Sequence, residues 1–99
     1  MMSTRQLETK ELDALAEKLN LSKDEMLRES LKIFLERKLR EIKTEIFKIR
    51  TKYGVSSVEE FEGLYKRGKI EEKDTWQELQ RLDHLEFKKD ELEKVLRTL

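Results

Sequence analysis

Apolar residues recur at steps of three and four along nearly the whole chain, and Asn20, Gly54 and Gly68 break that rhythm. Such spacing puts apolar side chains on one face of a helix and predicts four helices, with no run of period two that would make a strand. The longest covers Leu21 to Tyr53. Ser22 followed by Glu25 forms a capping box, with Leu21 and Met26 as the flanking apolar staple. Asp24 and Glu25 set negative charge on the positive end of the helix dipole. Gly54 is placed to end the helix in the left-handed conformation. A helix of this length would run roughly 45–50 Å. That exceeds what so short a chain needs to cover its own core, so part of it is expected to pack against a partner.

The long helix carries two apolar patterns in succession. Met26, Leu27, Leu31, Phe34 and Leu35 make a broad face. From there Leu35, Leu39, Ile42, Ile46, Ile49 and Tyr53 alternate steps of four and three, the spacing of a coiled-coil seam. Phe47 lies off that seam, where it can meet the last helix. Upstream, Ser3 or Thr4, with Gln6, caps a first helix whose Leu7, Leu12, Leu15, Ala16 and Leu19 share a face and which Asn20 stops. The tight Leu21-Ser22 connection makes a helical corner. Downstream, Ser57 with Glu60, or Ser56 with Glu59, starts a short helix bearing Val58, Phe61, Leu64 and Tyr65. Asp74 with Gln77 then starts a last helix carrying Trp76, Leu79, Leu82, Leu85, Phe87, Leu92, Val95, Leu96 and Leu99. The expected fold is all-α: a helical hairpin leads into a long central helix, and a short helix and a long C-terminal helix pack antiparallel to it. A corner module over 1–35 and a coiled-coil-like arm over 36–99 fold as one unit.

Composition sharpens this picture. Of 99 residues 44% are charged and 36% hydrophobic, so the core is thin and dimerisation is the natural way to enlarge it. The expected core and dimer residues are Leu12, Leu15, Leu19, Leu27, Leu31, Phe34, Leu35, Leu39, Ile42, Ile46 and Ile49. The formal net charge is zero, which argues neither for nor against nucleic acid. Absence of Cys removes disulfide and thiol chemistry. No apolar run reaches membrane length and no signal pattern is present, so a soluble cytoplasmic protein is expected. Abundant Lys and Glu with a single Asn lean toward a thermophilic source.

Candidate chemistry is sparse. His84 is the only His, and Asp83, His84 and Glu86 project in different directions from a helix. Arg81 stands where a di-iron helical motif needs Glu. The glycines are too scattered for a phosphate loop. A non-enzyme with no metal, cofactor or small-molecule substrate is expected. Arg37, Lys38, Arg40, Lys43, Lys48, Arg50 and Lys52 make the long helix locally basic, but Glu36, Glu41 and Glu45 interleave with them, which reads better as a salt-bridged face than as a nucleic-acid surface. Trp76 fits a core anchor somewhat better than an interface hot spot.

The stretch KELDALAEKLNLSKDEMLRESLKIFLER, residues 10–37, resembles the helical part of ribbon-helix-helix proteins. The resemblance implies a dimer, with Ser22 and Lys23 as candidate phosphate contacts at the start of the second helix. The family's DNA-reading ribbon precedes the first helix. Here that segment is nearly absent and reads as a helix start, so base-reading residues do not carry over and DNA binding stays open. Many family members are antitoxins whose C-terminal arm wraps a toxin. The region after Tyr53-Gly54, with Glu60-Phe61, Gly68 and Trp76, is similar to the arm of small archaeal antitoxin-like proteins. On that resemblance Tyr65, Trp76 and Phe87 are candidate partner-binding residues. The expectation is a non-catalytic, antitoxin-like homodimer that binds a toxin protein. The alternatives are a repressor of ribbon-helix-helix type and a helical dimer of other role.

Overall fold

The computed structural model describes residues 8–99, with the side chains of all of them except Glu72 and Asp74. Four helices account for most of these residues: α1 (Thr9–Lys18), α2 (Lys23–Tyr53), α3 (Val58–Lys66) and α4 (Glu72–Thr98). No strand occurs among the described residues, so the all-α expectation holds. The chain divides into two compact units, Met1–Phe34 and Leu35–Leu99, and α2 contributes to both.

Three of the helix ends follow from single residues. Asn20, Gly54 and Gly68 have φ of 57°, 65° and 66°. Each reversal lets two backbone amides turn back onto carbonyls the helix leaves unpaired. After α1, Leu21 N–H donates to Ala16 (2.9 Å) and Asn20 N–H to Glu17 (3.1 Å). After α2, Val55 N–H donates to Arg50 (2.9 Å) and Gly54 N–H to Thr51 (3.3 Å). After α3, Lys69 N–H donates to Leu64 (2.9 Å) and Gly68 N–H to Tyr65 (3.0 Å). Asn serves at the first of these because its short polar side chain tolerates the left-handed region better than other side chains do.

The helix starts follow the sequence less closely. Ser22 Oγ accepts the Glu25 amide at 3.0 Å, and Ser57 Oγ accepts the Glu60 amide at 3.1 Å. The Glu60 carboxylate reaches back to Ser56, to both its amide and its hydroxyl, one residue upstream of a plain capping box. The Ser56 amide, followed by its hydroxyl, holds the Glu60 carboxyl below the usual carboxylate range. α1 begins only at Thr9, behind an extended Glu8 (φ −90°, ψ 156°) whose side chain makes no cap bond. The expected caps Ser3 or Thr4, with Gln6 and Leu7, lie outside the described residues. α4 begins at Glu72 behind Glu71, ahead of the expected cap Asp74, whose side chain is likewise outside the described ones. Thr75 gives the reason. Its hydroxyl bonds the Glu71 carbonyl at 2.8 Å and lies 2.6 Å from the Tyr65 hydroxyl of α3, which ties an extra helical turn ahead of Thr75 to its neighbour.

The unit Leu35–Leu99 has a continuous core of Ile46, Ile49, Val55, Phe61, Leu79, Leu82 and Leu85. Ile42, Tyr53, Val58, Leu64, Tyr65 and Ile70 pack around it. Phe61 and Leu82 are fully buried. The Phe61 ring lies 4.5 Å from Tyr53 and 5.8 Å from Tyr65, both tilted, so α3 is anchored by an aromatic trio. Ion pairs give the direction of α4. Lys52 pairs with Glu78, Arg50 with Glu86 and Lys43 with Glu93, so partners move up α4 as they move down α2. The two helices are antiparallel, as the sequence pattern implies.

Candidate functional site

The unit Met1–Phe34 consists, in its described residues, of a helical corner with very little interior. Ala16 and Met26 are buried, and Leu12 and Leu21 are half-buried. The rest of the expected core is open: Leu15 is 47% exposed, Leu19 55%, Leu27 44%, Leu31 45% and Phe34 44%. Within one chain these five are not core residues, so of the expected core or dimer role only the dimer one is left to them. The cause is geometric. Leu12 and Leu15 on α1 and Leu19 at its C-cap recur at helical spacing, and Leu27, Leu31 and Phe34 do the same on α2. Two helices meeting at a corner cover only part of such wide stripes. Ile33, seven residues after Met26, is also exposed and belongs to the same apolar surface of α2, although the broad-face pattern passes over it. In the other unit the seam behaves as expected: Leu39, Ile46 and Ile49 are buried, and Leu35 and Ile42 half-buried.

The candidate residues of the arm separate into two kinds. Tyr65 is half-buried, with its ring against Phe61 and its hydroxyl on Thr75, so it is a packing residue of α3. Trp76 and Phe87 are exposed. They are eleven residues apart, about three helical turns, and so share one line on the side of α4 away from Leu82. Trp76 is thus not the core anchor its type suggests. Phe47 is exposed as well, despite its place next to the seam. Ser22 is occupied as a helix cap, and Lys23 beside it is half-buried.

The basic run on α2 is paired, but across helices more than along one. Arg50 bonds Glu86, and Glu86 also holds Lys89 at 3.5 Å. Arg81 of α4 bonds Glu45 of α2 at 2.5 Å. Glu78 accepts from Lys52 Nζ at 2.7 Å and from the Tyr53 hydroxyl at 2.6 Å. These two donors, Lys52 first, hold the Glu78 carboxyl below the usual carboxylate range. The hydrogen bond to Glu78 raises Lys52, and burial raises Tyr53. The signs give a pH window. Depression of Glu78 stabilises the fold above the ordinary carboxylate pKa, and that contribution is lost as pH falls through the folded value. Elevation of Lys52 and Tyr53 stabilises below their ordinary values and is lost at alkaline pH. Glu78→Gln is expected to flatten the acid limb of a plot of urea midpoint against pH while leaving the limb due to Glu60 in place. An unchanged acid limb would show that Glu78 contributes nothing to the pH dependence.

Among the described residues no group of three or more His, Cys, Asp and Glu could hold a metal ion. No helix of the described residues is long and apolar enough to cross a membrane. A model of the Uncharacterized protein MJ0235 family matches residues 2–99. The chain belongs to that family. No curated protein and no solved structure matches it. The MJ0235 family pattern spans both compact units, so the corner and the arm belong to one inherited sequence pattern.

Proposed function

We propose that the chain is a non-catalytic interaction protein of antitoxin-like kind, which pairs with a second copy through its helical corner and offers its C-terminal arm to a partner protein. The observation that carries this reading is the exposure of Leu15, Leu19, Leu27 and Leu31 on a corner whose own interior is little more than Ala16 and Met26. Ordering each residue of such a unit costs about 1–2 kcal/mol of backbone entropy. Two buried side chains of that size cannot offset this, so the corner needs cover.

A second copy fits as that cover. A twofold interface is self-complementary, and each corner brings the apolar surface the other lacks. Charges around the face are mixed, with Lys10, Lys18, Arg28 and Lys32 among Glu17, Glu25 and Glu29, so two copies do not repel. The resemblance of residues 10–37 to ribbon-helix-helix helices supports the same pairing. On the arm, Trp76 and Phe87 supply aromatic anchors of the type that dominates protein interfaces, and Tyr65 drops out as a packing residue. Sedimentation equilibrium at micromolar concentration tests the pairing. A dimer is expected, and a monomer throughout that range would overturn the reading.

A further inference from the structure

A cavity of about 300 Å³ opens between α2 and α4, lined by Lys43, Ile46, Phe47, Arg50 and Lys89. Its charge is sorted. Three cations line it and no carboxylate does. On the other side of Arg50 a second cavity of about 200 Å³ is lined by Glu59, Asp83 and Glu86 together with Arg50, Ser57 and Val58. Arg50 is the wall between them. Glu86 takes Arg50 Nη2 on one carboxylate oxygen and Lys89 on the other, which fixes both cations in place from behind. Lys43 has only a 4.0 Å contact to Glu93. Two carboxylates thus answer three cations, and the surplus positive charge faces the cavity. Field lines concentrate in a cleft of one sign with apolar walls.

A further observation points to a ligand. Phe47 stands at the cavity 68% exposed, an aromatic face in water beside three cations. An occupant that satisfies all of this needs an oxyanion for the cations and a flat apolar part for Phe47. A guanidinium held by a carboxylate behind it is preorganised to grip an oxyanion in front. A cavity of this volume sits at the small end of ligand sites and takes one ring with one charged group.

We propose that this cavity binds a small oxyanion, a phosphate ester or a carboxylate, carried on a planar apolar ring. Arg50, Lys43 and Lys89 hold the oxyanion, and Phe47 with Ile46 holds the ring. All five residues lie in the unit Leu35–Leu99, so the site does not depend on pairing of the corners.

The test is an NMR titration of the full chain with phenyl phosphate, benzoate and inorganic phosphate, following amide and arginine Nε–H signals. Saturable shifts in the millimolar range, confined to Ile46, Phe47, Arg50 and their neighbours, are expected from at least one of the two ring-bearing anions. The stronger of the two identifies the oxyanion. Inorganic phosphate is expected to bind at least about fivefold more weakly, since ring stacking adds to the charge contacts. Phe47→Ala, at an exposed position that leaves the core intact, should reduce the ring-bearing ligand to the affinity of inorganic phosphate. Lys43→Gln combined with Lys89→Gln should weaken all three. Shifts that do not saturate, that spread over every basic residue, or that survive Phe47→Ala unchanged would overturn the proposal. Sedimentation of the same samples keeps this outcome separate from that of the pairing.

Discussion

Phe61→Ala is expected to lower the unfolding free energy by about 3–5 kcal/mol, the range for a fully buried aromatic truncated to alanine. Phe61 has no exposed surface and sits between Tyr53 and Tyr65. Truncation removes the ring contacts and leaves a hole bounded by three helices. The hole cannot close easily, because α3 is held at both ends. At its start Ser57 and Glu60 form the cap, and at its end the Gly68 turn returns its amides to Leu64 and Tyr65. A domain of this size has only about 5–15 kcal/mol to lose, so the variant should melt many degrees below the parent. Urea denaturation followed by far-ultraviolet circular dichroism checks it. A change under about 1 kcal/mol would mean that α3 does not pack its Phe61 into the core, because surface substitutions fall in that range.

The features that shape this chain differed in how far the sequence revealed them. Helix ends were legible because they are local. Asn20, Gly54 and Gly68 each stop a helix by what one residue permits its own backbone, and no distant part of the chain is involved. The seam from Leu39 to Ile49 was legible because the packing of α2 against α4 repeats with the helix. The starts of α1 and α4 were not, because Glu8 and Glu71 are poor caps, and at α4 a bond between Thr75 and Tyr65 of another helix sets the boundary. Trp76 misled for a related reason. Its size argues for burial, but the side of α4 that faces the core is fixed by Leu79, Leu82 and Leu85, and Trp76 lies outside that stripe.

The charged cavity shows the limit most clearly. Lys43 and Arg50 sit in a basic run interleaved with Glu36, Glu41 and Glu45, which reads as a solvated face. Only the antiparallel register of α4 decides that Glu86 stands behind Arg50 while Lys89 joins Lys43 in front. Charge sorting of this kind is a property of two facing helices. Spacing along either of them does not contain it.

Leu31→Ala separates a lone corner from a paired one. In a single chain Leu31 keeps 45% of its surface in water, so truncation forfeits only part of a buried leucine, about 1 kcal/mol. With a second copy seated on the face, the same side chain is enclosed and the loss rises to about 2–4 kcal/mol, the range for a leucine removed from a packed interior. The parent should also show a urea midpoint that climbs with protein concentration, since association stabilises by mass action. Leu31→Ala should lower both the midpoint and its dependence on concentration, because it weakens the interface that couples the two. The buried set around Phe61 and Leu82 lies in the other unit and is untouched, so a uniform drop with the concentration dependence intact would place Leu31 in a core and away from an interface. A change near zero at every concentration would remove the corner as a pairing face. The wide apolar stripe of α1 and α2 would then need a different occupant, and the four exposed leucines would mark a docking site for another protein.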